Sequence, residues 1–196
     1  MTAALALALL VCVAHLVSCN SDQCSGTNED KVNVCLQPML NYASELQANG
    51  LQLPVQGTDI FEKLCTLYST FQKCVKPLGC KSISTEAIDA SYGYMCGEGY
   101  DLFQQNADCF AKVESQNDYL KCKNTATNDI NGLKWQASDL SPYFQGLCTV
   151  MSTYLRCSHP IINSHCGRTA WELVRRVTED SLKVTMPSCD LRPALA

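Results

Sequence analysis

The sequence has no Asn-x-Ser/Thr sequon, which excludes N-linked glycans. No Cys-x-x-Cys pair occurs, so the usual spacing of redox and zinc motifs is missing. Nor is there a Gly-x-Ser-x-Gly elbow, a His-Glu-x-x-His or a phosphate-cradling glycine loop. Charge of one sign is also scarce: 15 Lys and Arg stand against 19 Asp and Glu, a net −4. A mildly acidic chain does not attract nucleic acid, heparin-like polymers or anionic lipid surfaces. Its one notable basic cluster, Arg168, Arg175 and Arg176, is expected on a solvated helix face. Beyond the N-terminus no apolar run approaches membrane length, and the tail from Pro187 to Pro193 is too polar for a GPI signal.

The N-terminal run MTAALALALLVCVAHLVSC lacks any acidic or basic residue. Its apolar stretch, Ala3 to Val13, is too short to span a bilayer and fits the core of a secretory signal, with cleavage after Cys19. Residues 1–19 are therefore expected to leave the mature protein. A buried N-terminal helix, or a lipobox at Leu16-Val17-Ser18-Cys19, are the competing readings. Parity favours the signal. Removing Cys12 and Cys19 from the 14 cysteines leaves 12, an even set. That density in an exported chain reads as a disulfide framework, and the expected location is secreted and extracellular.

What the chain does have is a phrase written twice. FEKLCTLYSTFQKC at 61–74 returns as FQGLCTVMSTYLRC at 144–157. The remaining cysteines fall into register with it. Cys24, Cys35, Cys65, Cys74, Cys80 and Cys96 match Cys109, Cys122, Cys148, Cys157, Cys166 and Cys189, at offsets of 85, 87, 83, 83, 86 and 93 residues. The expectation is two homologous six-cysteine units, 20–100 and 101–196, able to pack as one domain.

Each unit reads as helical. Ile60, Phe61, Leu64, Cys65, Tyr68, Phe71 and Val75 have helix spacing, with Asp59 and Glu62 as a capping box and Pro77 and Gly79 as the stop. The twin helix opens at Ser141-Pro142 and is expected to end before Pro160. A helix over Val32 to Leu46 is kinked or restarted by Pro38 and ended by Asn49-Gly50. Ser84 to Met95, interrupted by Gly93, and a segment opening at Thr169-Ala170-Trp171-Glu172 complete about three helices per unit. No strand is expected. The fold class is all-α, a disulfide-rich helical bundle. Cys65 and Cys74 are nine residues apart, on opposite faces of one helix at about 100° per residue, and cannot bond to each other. Six cysteines per unit leave 15 possible pairings open.

Chemistry is sparse. Cys157-Ser158-His159 with His165-Cys166 has the letters of a zinc site, but exported cysteines serve better as disulfides. Glu98 and Asp101 could pair as carboxylates, yet nothing in the sequence places them in a cleft; Gly97-Glu98-Gly99 suits a helix stop. No catalytic residue, metal or cofactor is implied, and no enzyme is expected. Ser25-Gly26, flanked by Asp22 and Glu29-Asp30, has the form of a glycosaminoglycan attachment site, with Ser25 as acceptor; a turn leading into the first helix is the plainer reading.

The order Cys24, Cys35-Leu36, Phe61-x-x-Leu64-Cys65-x-x-Tyr68, Phe71-x-x-Cys74, Cys80 and Tyr94-Met95-Cys96 resembles the nematode chondroitin proteoglycan 4 domain and the neighbouring nematode secreted cysteine-rich families. The resemblance implies a secreted matrix protein, with matrix components or glycosaminoglycan as partners. The single Ser-Gly departs from a core protein with an extended Ser-Gly tract. The sequence thus supports a structural or binding protein of the extracellular matrix first. A carrier of a lipid or other small apolar ligand held between helices is the alternative.

Overall fold

A computed structural model describes residues 23–48, 58–134 and 139–196. The expected signal at 1–19 and the helix stop at Asn49-Gly50 lie outside them. The described chain is all-α: α1 Gly26–Ala48, α2 Thr58–Val75, α3 Ile83–Tyr92, α4 Tyr100–Glu114, α5 Asn117–Gly132, α6 Ser141–Thr185 and the short α7 Arg192–Leu195, with a 3-10 turn at Lys76–Leu78. Among the described residues the only β feature is a single bridge between Gln23 and Lys81.

Six disulfides tie these helices together. Cys24 pairs with Cys80, Cys35 with Cys74 and Cys65 with Cys96. Cys109 pairs with Cys166, Cys122 with Cys157 and Cys148 with Cys189. In each half the first cysteine bonds the fifth, the second the fourth and the third the sixth. No bridge crosses between residues 24–96 and 109–189. Opposite faces of α2 are thereby pinned to different neighbours, as the nine-residue spacing requires.

The repeated phrase also repeats its hydrogen bonds. Thr66 Oγ1 donates to the Glu62 carbonyl and Thr70 to that of Thr66. Thr149 and Thr153 do the same to Gln145 and Thr149. Hydroxyls that bond back into their own helix need no outside partner, so this face can stay wet.

Two prolines and one glycine shape the longest helices. α1 begins at Gly26 and runs through Pro38. Pro38 removes the donor for the Val34 carbonyl, and Val34 is exposed, so water can take its place. Likewise α6 does not end before Pro160 but passes through it, because the deprived carbonyl belongs to exposed Arg156. The break comes at Gly167, with φ 80° and ψ 174°. That conformation is essentially reserved for glycine. In an unbroken helix His159 and Trp171 would stand about 18 Å apart; their rings stack with centroids 4.1 Å apart. The arm 168–185 therefore folds back beside the arm 141–166.

The core has three parts. Val32, Cys35, Met39, Phe71 and Val75 fill the first half. Val113, Tyr119, Leu155, Ile162, Trp171 and Leu182 anchor the second, closed by Leu191, Ala194 and Leu195 of the C-terminal segment. Between them Phe61, Met95, Phe103, Ala107 and Leu173 form a junction. Phe61 lies 4.9 Å from the Tyr100 ring and 6.1 Å from Phe103. Polar ties add to this. Tyr68 Oη donates to Asp89 Oδ1 at 3.1 Å, and Gln72 donates to the same oxygen. Burial still raises the Asp89 carboxyl above its usual range, outweighing both donors.

Candidate functional site

The feature with the form of a site is a cavity of about 560 Å³ in the second half. It lies between α4, α5 and both arms of α6. Phe103, Phe110, Val113, Leu147, Val150 and Ile162 give it an apolar wall. Small-molecule sites commonly measure about 300–1,000 Å³, with apolar walls and a few placed polar groups.

The space has a cause in the sequence. Counting from matched cysteines pairs Met39 with Ala126 and Val75 with Ser158. In the first half Met39 and Val75 are both buried in the core. In the second half their counterparts line the cavity. Two smaller side chains thus stand where the first half packs larger ones, and loss of side-chain volume in a stiff helical frame leaves a hole. The same counting pairs Val32 with Tyr119 and Phe71 with Tyr154. Polar atoms therefore enter where the first half has only carbon.

Those polar atoms are grouped. Tyr119 and Tyr154 share a hydrogen bond between their hydroxyls at 2.6 Å. Glu114 lines the same cavity and is only 6% exposed. Burial pushes both phenols above their ordinary range. Glu114 adds to that rise in each. Both tyrosines are uncharged at neutral pH. Ser158, 1% exposed, donates to the Leu155 carbonyl at 3.4 Å. Lys123 also lines the cavity and is half-buried.

The residues singled out in the sequence lie elsewhere. Ser25 is exposed and caps α1: its hydroxyl accepts from the Asn28 N–H at 3.4 Å, and its carbonyl accepts from Asn28 and Glu29. Cys157 and Cys166 are bonded to different partners, and His159 stacks on Trp171. Among the described residues no group of three His, Cys, Asp or Glu could hold a metal, and no helix is long and apolar enough to cross a membrane. Glu98 and Asp101 are exposed in and just after the turn at 93–99. Arg175 pairs with Glu172 and Glu179, and Arg176 with Asp180, so the basic cluster is neutralised on its own helix face. The cavity was missed because it is made by absent volume. A side-by-side reading of residues four after Cys35 and Cys122, and one after Cys74 and Cys157, was the signal that could have found it.

Comparison with known proteins places this framework. A family model described as a domain of unknown function, DUF19, matches residues 24–190. The chain belongs to the DUF19 family. A Caenorhabditis elegans relative, an uncharacterized protein, is 31% identical over 175 residues, covering 79% of this chain and 82% of the relative. No solved structure matches. The DUF19 match begins at the first bridged cysteine and ends one residue after the last, so the family's extent is that of the disulfide framework. Six bridges suit a DUF19 protein that works in an oxidising, extracellular setting.

Proposed function

We propose that this DUF19 protein is a secreted, non-catalytic carrier that holds one small apolar ligand inside its second unit. In this reading the duplicated units have diverged. The first packs larger side chains at the matched core positions and supports the second, and the second is hollow. The observation that carries the proposal is the cavity of about 560 Å³ at positions where the matched half is filled. Disulfides on α4, α5 and the arm 141–166 suit that role, since they keep the walls apart when the space is empty. The matrix and proteoglycan reading rests on the resemblance in cysteine order and, for a glycan chain, on Ser25. That hydroxyl is exposed but already serves as a helix cap, so the carrier reading ranks above it.

The test uses the first half's own solution. The double variant Ala126→Met, Ser158→Val would fill part of the hole and narrow it between α5 and α6. Native mass spectrometry of the secreted wild-type protein is expected to show a non-covalent apolar adduct that denaturation releases. The variant is expected to lack that adduct, retain its helical circular dichroism and melt at a higher temperature. A wild-type protein that takes up no apolar molecule, even when offered neutral amphiphiles, would end the proposal.

A further inference from the structure

Resting on the carrier reading, we infer that the mouth of the cavity docks on a zwitterionic lipid surface through Ile130, Leu140 and Phe144, and that apolar cargo passes there between lipid and cavity. The mouth can be located. Cys122 is bonded to Cys157, and Leu133 packs on Gly146, where an added Cβ would meet Leu133 Cδ2 at 2.6 Å. Eleven residues separate these two contacts on each segment, so α5 runs antiparallel to the arm 141–166. Of the described residues lining the cavity, Thr127 and Ile130 alone are exposed, and both lie near the end of α5. At the opposite end of the pair, Tyr119 and Ser158 are buried.

The apolar surface does not stop at the mouth. Leu140, Phe144, Leu147 and Met151 follow at intervals of four, three and four residues, on one face of the helix. Leu147 and Met151 line the cavity, whereas Phe144 is 43% exposed and Leu140 37%. Ile130, 41% exposed, reaches the same end from α5. The cavity wall thus continues onto the outer surface as one apolar strip. Tyr143 sets its ring against Phe144, centroids 6.0 Å apart, and a tyrosine in that place suits the boundary between lipid and water. Charge selects the kind of surface. Asp129, Lys134 and Asp139 adjoin Ile130, Leu133 and Leu140 in the chain, and Lys123 lines the cavity. Both signs are present, as in a zwitterionic head group, while the net charge of −4 opposes an anionic surface. Size argues against a protein partner. Three side chains exposed by about two-fifths fall far short of the about 800 Å² per partner that a stable protein interface buries. An apolar guest is poorly soluble in water, so lipid is the phase that can supply or receive it.

Stopped-flow transfer of N-phenyl-1-naphthylamine tests this, from the loaded full secreted chain to phosphatidylcholine vesicles that carry a non-exchanging quencher. Docking makes the transfer rate rise in proportion to vesicle concentration, whereas release into water first makes it independent of vesicles. Leu140→Ser with Phe144→Ser, neither of which lines the cavity, is expected to lower the slope about fivefold or more. The probe's affinity and the helical circular dichroism are expected to stay unchanged. The single variant Phe144→Gln, expected to lower the slope about twofold, serves if the pair misfolds. Adding phosphatidylserine to the vesicles is expected not to raise the slope. A flat rate in wild type, or a slope that the variants keep, would overturn the inference and leave the carrier reading intact. So would a slope seen only with phosphatidylserine, or wild-type dimers that the variants make monomeric, which would mark the strip as a contact between copies. A chain that takes up neither the probe nor dodecanol would remove the carrier reading and this inference with it.

Discussion

Phe61 and Phe144 occupy the same place in the repeated phrase, and their fates differ. Phe61 is fully buried at the junction against Tyr100 and Phe103, while Phe144 is 43% exposed. Identical letters at matched positions carry no information about what lies opposite. Burial of Phe61 depends on α4, which follows the first half in the chain and brings Phe103 against it. Phe61→Ala is expected to cost about 3–5 kcal/mol, as for a large core aromatic. Phe144→Ala should cost about 1 kcal/mol or less. Urea unfolding of the two variants checks this, and equal losses would show that the junction is not built as described. The cavity positions give the same lesson in reverse. Ala126 and Ser158 look unremarkable in the sequence and become meaningful only beside Met39 and Val75.

At the scale of elements, helices with a full apolar stripe are legible in the sequence, and α5, whose stripe is thin, is not. The stripe from Phe61 to Val75 gives α2 almost to its ends, since a helix packed on two sides needs large residues at regular intervals. α5 has only Tyr119, Cys122, Ala126 and Ile130 as its periodic apolar positions among Asn, Thr and Lys. A helix that borders a hole carries little bulk on its inner face, so its periodicity fades. Helix ends were misjudged for another reason. Proline was read as a stop at position 160, whereas solvent at the Arg156 carbonyl tolerates it, and the stop is the backbone geometry of Gly167. No atom lies within 4 Å of a Cβ built at Gly167, so substitution there meets backbone strain alone. Gly167→Ala is expected to cost about 1–3 kcal/mol. Gly132→Ala, which also meets no atom and has ordinary φ, should be neutral or stabilise by up to about 1 kcal/mol. Thermal melts of both distinguish conformational strain from lost packing.

For the whole molecule, the even cysteine count and its register pointed to the cross-linked helical class, but 15 pairings per half could not be reduced from spacing alone. The structure selects the same one twice. Non-reducing peptide mapping is expected to recover Cys24–Cys80, Cys35–Cys74 and Cys65–Cys96, and their three counterparts. A bridge joining any cysteine of 24–96 to one of 109–189 would contradict the fold. Removing Cys122 and Cys157 together opens a loop closed over 35 residues and is expected to cost about 3–4 kcal/mol. The confinement of every bridge to its own half has a consequence for biogenesis. A chain entering an oxidising compartment from its N-terminus can complete three bonds before Cys109 arrives. The later sulfurs then find no earlier thiol left to capture, so order of synthesis alone removes most of the wrong partners that twelve simultaneous thiols would offer.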